Sequence, residues 1–325
     1  MSVSSGDLVG ERPPVRAALL ARLAGTPGLA LFLLLLIGLV GLLQPSFLSP
    51  ANLRNILVQS TPLGFVVIGQ TIVILVRGLD LSVASVMATV AVLATGFDAR
   101  TDDMVLPIAA AGLALGLVVG LVNGLLVVKR RISPFLATLA VMIMLQGARF
   151  AYTKGAPSGS LPPGFARIAT GSVGGVPISL AILAAVAAAL SLVLTRTALG
   201  RRLYLAGDNP RAARLSGVRV GNVVILAYVV SGVLAAAGGL LLMGYVGIVD
   251  NWTGRGYELD SIAAAIMGGA SLRGGRGTVV GSLLGALILV MIFNMVLMVG
   301  LSVEYQMILK GVIIVAAAAF YLARG

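Results

Sequence analysis

The sequence predicts an all-α polytopic membrane protein with about ten transmembrane helices. Of its 325 residues, 59% are hydrophobic and only 10% are charged, whereas a soluble domain is about half apolar and about a quarter charged. The apolar residues form long runs that recur from end to end, and a run of about 20 such residues is long enough to cross a bilayer. The uneven distribution of basic residues among the loops supports the same fold class.

Ten apolar segments follow one another along the chain. They lie at 24–43, 55–76, 81–97, 104–128, 134–152, 176–195, 222–247, 258–272, 278–299 and 302–323. The first follows three arginines, as the apolar region of a signal peptide would, but it is longer than a signal core and has no small-residue cleavage site after it. We therefore expect a cytoplasmic tail over 1–23 and one transmembrane domain over 24–325. The eighth segment is short enough to be either a crossing or a re-entrant helix.

The basic residues predict the orientation of these segments. With the N-terminus in the cytoplasm, the inside loops hold Arg12, Arg16, Arg22, Arg77, Lys129, Arg130, Arg131, Arg196, Arg201, Arg202, Arg211, Arg214, Arg219, Arg273, Arg276 and Arg324. Loops rich in Lys and Arg remain on the cytoplasmic side, so we expect both termini there, while Arg149 and Lys310 fall in the outer half. Orientation then accounts for the net charge of +12, and we expect no nucleic-acid partner.

A weak internal repeat relates the two halves of the chain. Residues 79–87 read LDLSVASVM and residues 259–267 read LDSIAAAIM, with Met seven positions after the Asp in each. The predicted layout places Asp80 at the inner face and Asp260 at the outer face, as an inverted repeat requires. Spans 2–5 would then be related to spans 7–10.

The fourth span carries a glycine every fourth residue. Gly112, Gly116, Gly120 and Gly124 share one helix face. A face without side chains lets a second helix approach closely in lipid. Two interpretations remain open, namely permanent tight packing and a surface that slides during a conformational cycle.

The long inner loop over 196–221 contains the signals of a short helix. Asn209 suits an N-cap, Pro210 suits the first helical position, and Gly217 suits the left-handed residue after the last turn. A helix over 210–216 is too short to be stable alone in water and needs a protein surface to pack on. The alternative is an inner loop that is merely basic.

Five uncharged polar residues interrupt the spans. They are Gln59, Gln70, Asn123, Gln146 and Asn294. Polar residues in lipid are costly and often functional, and neutral hydrogen-bonding groups would suit a polyhydroxylated solute along a translocation pathway. Bonding between helices is the alternative.

Two charged residues beside the spans have simpler expected roles. Lys310 is expected to extend to the outer surface. Asp80 is expected to cap the third span.

Several kinds of chemistry are excluded by what the sequence lacks. With no Cys and no His, thiol nucleophiles, His-based triads and Cys/His metal sites are excluded. No phosphate-binding loop of the G-x-x-x-x-G-K-[ST] type occurs, and no span carries the acidic chain of a proton-coupled carrier. We expect a protein that is not an enzyme, with no catalytic residues and no metal or cofactor bound by this chain.

Several spaced motifs resemble the ribose-type permeases of bacterial ABC importers, within the family that also holds branched-chain amino acid permeases. The motifs are GLDLSV at 78–83, NGLLV at 123–127, PFLATL at 134–139, GDNPRAA at 207–213, GYELDSIAA at 256–264 and GGASLRGGRGT at 268–278. The family usually has Gly where this chain has Arg77 and Ala84, which affects only the geometry of that loop.

The resemblance implies a type II ABC importer-like permease of the bacterial cytoplasmic membrane that imports a small solute, most simply a pentose or hexose. The implied partners are a second permease (identical or homologous), ATPase subunits that bind ATP and Mg²⁺, a periplasmic or lipid-anchored solute-binding protein and membrane lipid. The implied ATPase-coupling loop comprises Gly207, Asp208, Asn209, Pro210, Arg211, Ala213, Arg214 and Gly217. Other small polar cargoes, an ATP-independent carrier or channel, and a scaffold without transport remain as alternatives.

Overall fold

The computed structural model of the protein describes residues 26–322, so the predicted tail over 1–23 lies outside the described residues. Within this range the helices are α1 Thr26–Leu43, α2 Pro50–Leu75, α3 Val83–Gly96, α4 Val105–Lys129, α5 Pro134–Thr153, α6 Pro163–Thr170, α7 Ile178–Arg196, α8 Ala198–Asp208, α9 Pro210–Leu215, α10 Val220–Val246, α11 Tyr257–Met267, α12 Val279–Met298 and α13 Val303–Leu322. Short 3-10 helices lie at Pro45–Leu48 and Asp102–Met104. Strands β1 Ser172–Val173 and β2 Val176–Pro177 pair antiparallel before α7.

Each of the ten predicted apolar segments contains a helix. By length and composition, six helices in the described range could cross a membrane, namely α2, α4, α5, α7, α10 and α12. Helices α1 and α3 are apolar but shorter, and α11 has only 11 residues. The structure therefore supports a polytopic all-α fold.

Local sequence signals set several helix starts. The Ser49 side chain accepts a hydrogen bond from the backbone N–H of Asn52 at the start of α2, and Ser133 does the same for Leu136 at the start of α5. Each serine is followed by a proline, which suits the first helical position because its missing N–H would have no partner there. Thr278 caps α12 through the N–H of Gly281.

Helices α2 and α10 form the centre of the protein. In the most apolar 18-residue stretch of α2, 89% of the window is buried inside the protein. The corresponding share is 22% in α5 and 22% in α7. Helix α10 packs along α2 and α4, and α2 also packs along α12. The outer helices thus leave apolar surface exposed, as a lipid environment requires.

The glycine stripe of α4 faces α10. A Cβ atom at Gly120 would lie 2.3 Å from the carbonyl oxygen of Tyr228, and one at Gly124 would lie 2.8 Å from the Cα of Ile225. At the other end of the stripe, Gly112 instead faces the side chains of Val90 in α3 and Leu240 in α10. The backbones of α4 and α10 are therefore in van der Waals contact from Gly116 to Gly124.

Candidate functional site

Three segments distant in sequence meet beside the predicted inner loop. The N–H of Gly275, in the loop after α11, donates to the carbonyl of Leu75 at the end of α2, at 2.9 Å. The guanidinium of Arg77 donates to the carbonyls of Gly207 (2.5 Å) and Asp208 (2.6 Å) at the end of α8. A Cβ at Gly207 would lie 1.7 Å from the Leu75 oxygen, so glycine is needed there. We call residues 75–77, 207–208 and 274–277 the inner junction.

Tyr204 strengthens the inner junction from α8. Its hydroxyl donates to the carbonyl of Gly277 at 2.8 Å. Burial raises the pKa of Tyr204 above its ordinary value, so the phenol stays protonated and can donate at neutral pH.

The predicted short helix projects from this junction as α9. The side-chain oxygen of Asn209 accepts from the N–H groups of Arg211 and Ala212, both at 3.1 Å, and Gly217 has a φ of +81°. Ala213 is buried, whereas Leu215 is 91% exposed. The caps and the helix are thus confirmed, and the exposed leucine leaves an apolar side chain without cover among the described residues.

A buried polar cluster surrounds Asp80. One carboxylate oxygen accepts from the N–H (3.0 Å) and hydroxyl (2.6 Å) of Ser82, and the other accepts from the Ser231 hydroxyl at 2.8 Å. The amide of Asn123 donates to the Ser82 hydroxyl at 2.8 Å. The Gln70 amide lies 3.1 and 3.3 Å from the backbone oxygen and nitrogen of Asp80. Ser82 stands at the N-cap position of α3 but makes no side-chain capping bond. The Asp80 carboxylate accepts the N–H of Ser82 at the start of α3, as expected of a cap, and it also joins this turn to α10.

A cavity of about 340 Å³ lies between α3, α5 and the segment that leads into α11. It is lined by Ala84, Ser85, Ala88, Met142, Gln146, Arg149, Asn251, Trp252, Thr253, Arg255 and Glu258. This volume is in the range of small-molecule sites, and the mixture of apolar wall and convergent polar groups is typical of them. Among residues 26–322 no group of three or more His, Cys, Asp or Glu side chains that could hold a metal ion is found.

Residues 52–318 match the family model described as branched-chain amino acid transport system, permease component. The chain belongs to this family. The permease is 40% identical to the ribose import permease protein RbsC of Escherichia coli (strain K12) over 292 residues, which cover 88% of this chain and 90% of that protein. It is 39% identical to RbsC of Bacillus subtilis over 293 residues, 90% of each chain. It is 36% identical to the galactose/methyl galactoside import permease protein MglC of Escherichia coli (strain K12) over 310 residues, 90% of this chain and 92% of that one. No solved structure matches the permease.

The five polar residues predicted for the pathway do not meet at one place in the permease. Gln70 and Asn123 belong to the Asp80 cluster and are fully buried. Asn294 exchanges two hydrogen bonds with Asn52, at 3.0 and 3.1 Å. Gln146 lines the cavity, and Gln59 is half-buried elsewhere on α2.

Arg149 is the site residue that the sequence analysis missed. The charge distribution predicts a place in the outer half and no special role, but Arg149 is only 5% exposed and donates to the carbonyls of Ser85 (2.9 Å) and Asn251 (3.2 Å). Its position inside an apolar segment could have singled it out, because an ionisable residue within a membrane span usually has a function.

We predict that Arg77→Gly loosens the end of α8 without disturbing the turn after α2. Arg77 has a φ of +65°, a conformation that glycine adopts without strain, so the variant removes only the two hydrogen bonds to α8. Bonds to a charged donor contribute about 1.5–3 kcal/mol, so amide exchange over residues 205–212 should accelerate roughly tenfold. Hydrogen-exchange mass spectrometry measures it.

Arg131→Gly is the matched control for this variant. Arg131 also has a left-handed backbone, with a φ of +57°, but its side chain is exposed. Unchanged exchange over 205–212 in Arg77→Gly, or equal acceleration in both variants, would show that the guanidinium does not hold α8.

Proposed function

We propose that this chain is the membrane-embedded permease subunit of an ATP-driven importer of a small sugar. The observation that carries the proposal is the 36–40% identity, over about nine-tenths of the chain, to permeases named for ribose and for galactose import. Membership of the transport-permease family supports it independently. The chain is not an enzyme, and ATP and Mg²⁺ would bind to a separate subunit.

We propose further that all ten apolar helices cross or enter the membrane as an inverted repeat, with both termini in the cytoplasm. In each half a long helix precedes a short one: α2 and α3 have 26 and 14 residues, and α10 and α11 have 27 and 11. The packing of α10 on α4 is matched by that of α2 on α12. In the proposed repeat α2 corresponds to α10 and α4 corresponds to α12, so the two contacts are equivalent, and this equivalence supports the repeat.

The coupling loop is proposed to be the surface that the ATPase subunit contacts. Helix α9 is anchored on one side by buried Ala213 and presents Arg211, Arg214 and Leu215 to the outside. Through Arg77, the base of α9 is joined to the turn that leads into the Asp80 cluster. A displacement of α9 would therefore be transmitted to the buried turn between α2 and α3.

The remaining proposed partners follow from the same function. A small solute is delivered by an extracytoplasmic solute-binding protein, and the permease pairs with a second, identical or homologous, permease within the lipid of the bacterial cytoplasmic membrane. The exposed apolar surfaces of α4, α5 and α7 suit contact with lipid or with such a partner.

The test is reconstitution of the permease in vesicles with its ATPase and binding protein, followed by uptake of labelled ribose and galactose. We predict uptake that requires ATP. The double variant Asn209→Ala with Arg211→Glu should hydrolyse ATP but lose at least about nine-tenths of the uptake, because loss of an N-cap costs about 1 kcal/mol and the charge reversal opposes docking.

A matched control separates the helix from its charge. Thr197 caps α8 through the N–H of Gly200 at 3.3 Å, and Arg201 is exposed on α8. Thr197→Ala with Arg201→Glu should keep most of the uptake. Equal losses in both double variants would favour a merely basic loop, and full uptake without any ATPase would favour a channel or secondary carrier.

The family description gives a second candidate cargo, a branched-chain amino acid. Labelled leucine in the same vesicles distinguishes it from the sugars. ATP-dependent uptake of leucine alone would replace the sugar in the proposal and leave the permease assignment intact.

A further inference from the structure

We infer that the cavity between α3, α5 and the segment 251–258 is a binding site within the permease for one neutral, polyhydroxylated solute. The inference rests on the proposed sugar import and assigns a residue set to it. The residues that carry it are Gln146, Arg149, Asn251 and Trp252, all in the wall of the cavity.

Two buried side chains in this wall keep an unused hydrogen-bonding atom. Arg149 uses Nη1 for Ser85 and Thr89 and Nη2 for Asn251, but its Nε–H has no hydrogen-bond partner among the described residues. Asn251, only 2% exposed, uses its amide nitrogen for Thr153 and Gly155, and its Oδ1 has no hydrogen-bond partner in the described part of the chain.

Leaving a buried polar atom without a hydrogen bond is unfavourable. Both atoms have almost no accessible surface, so a ligand in the cavity reaches them only when a side chain of the wall moves aside. A hydroxyl group would then suit either atom, because it both donates and accepts.

The charges of the wall favour a neutral ligand. Arg149 and Arg255 are cationic, but the Nη atoms of Arg149 are already engaged and the guanidinium of Arg255 lies over the ring of Trp252, at 4.8 Å from its centre. Glu258 is the acid of the wall and accepts from the N–H of Gly256 at 2.9 Å. Because both signs are present and most of the charged atoms have protein partners, no charged group of a ligand is required.

An aromatic ring completes the chemistry expected of a sugar site. Trp252 is 47% exposed, and Phe150 packs edge-on against it, with ring centres 5.4 Å apart. An indole held in this way offers an apolar surface beside hydrogen-bonding groups, which suits the apolar faces and polar rim of a sugar ring. The half-buried Gln146 offers an uncharged donor and acceptor on α5.

The chain contains a single tryptophan, so its fluorescence reports directly on this cavity. The experiment titrates the full chain, in vesicles of phosphatidylethanolamine and phosphatidylglycerol without other proteins, with D-ribose, D-galactose and L-leucine while the tryptophan emission is recorded. We expect a saturable change with at least one of the sugars and none with leucine. Binding of the same sugar should reduce quenching by acrylamide.

Gln146→Leu tests the residue set with little risk to folding, because Gln146 is only half-buried. Loss of its hydrogen bonds should raise the half-saturating sugar concentration about tenfold. Gln44→Leu, at a half-buried glutamine far along the chain from the cavity, should leave that concentration unchanged.

Three results would overturn the inference: no saturable response to either sugar, a response to leucine but not to sugars, or equal sugar affinity in Gln146→Leu and the unaltered chain. Any of these together with ATP-driven sugar uptake by the full assembly would leave the proposed function standing. Sugar binding without uptake by that assembly would have the opposite meaning, and would support the site while counting against the importer.

Discussion

Replacing Gly116 with alanine is expected to lower the Tm of the purified permease by roughly 5–10 °C. A Cβ at this position would lie 2.3 Å from the carbonyl oxygen of Gly232 and 2.7 Å from the Cβ of Ala236. The approach is reciprocal, since a Cβ at Gly232 would lie 2.1 Å from the Gly116 oxygen. Backbone atoms cannot rotate away, so α4 and α10 must separate, and overpacking of this kind costs about 1–3 kcal/mol or more.

Gly147 provides the matched control. It lies within α5, and a Cβ there would meet nothing within 4 Å, so Gly147→Ala should be neutral or slightly stabilising because alanine is the better helix former. Size-exclusion chromatography after heating to a series of temperatures measures the Tm of both variants. Equal Tm values for Gly116→Ala and the unaltered chain would contradict the close contact.

The same pair of variants separates the two interpretations of the glycine stripe. If α4 and α10 are permanently packed, Gly116→Ala should lose stability and transport together. If the stripe is a sliding surface, the uptake rate should fall more than the loss of folded protein explains. The added methyl group would then obstruct the movement of α4 along α10 in other conformations of the transport cycle.

The positions of the helices could be predicted from the sequence because lipid imposes a strong constraint. Every backbone N–H and C=O in the bilayer must be bonded within the chain, so an apolar run becomes a helix almost regardless of its detailed composition. The apolar pattern predicts an eighth segment over 258–272, yet α11 ends at Met267. The reason is local: Gly268 and Gly269 follow it, and Gly269 has a φ of +91°.

The start of α9 was equally predictable because its signals are adjacent in sequence. Asn209 and Pro210 specify the N-terminus by themselves, without any tertiary contact. The partners of Asp80 and Arg149 are different in kind. Ser231 and Asn251 lie more than a hundred residues away from them, and no local pattern indicates that they will meet.

The five polar residues predicted to line the pathway lie at separate places, and the sequence could not indicate where for a related reason. Helices α2 and α4 have almost no amphipathic pattern, so the sequence does not indicate which face of the helix points toward a common site. Gln70 and Asn123 face the Asp80 cluster, whereas Gln146 faces the cavity. Their common polarity therefore did not indicate a common site.

Lys310→Met is the second variant with a large expected effect. The expectation that Lys310 extends to the outer surface is wrong, because its Nζ lies 2.8 Å from the Asp260 carboxylate and 5.1 Å from the ring centre of Phe293. The Asp260 side chain is only 9% exposed. Removing one member of a buried pair leaves an uncompensated charge and costs about 3–5 kcal/mol, so Tm should fall by roughly 10 °C. Lys129→Met, at an exposed lysine, should change Tm little.

The double variant Lys310→Met with Asp260→Leu decides whether this pair is an energetic unit. Replacing a buried ion pair by apolar residues of similar volume is often neutral, so Tm should return to within a few degrees of that of the unaltered chain, and simple addition of the two single losses would show that the residues are not coupled. Asp80 and Asp260 each follow a leucine in the two similar segments 79–87 and 259–267, but hydroxyl groups bind Asp80 whereas an ammonium group binds Asp260. Restored stability would therefore mean that a carboxylate at this position is not required for folding, and uptake by the stable double variant would then measure what it contributes to transport.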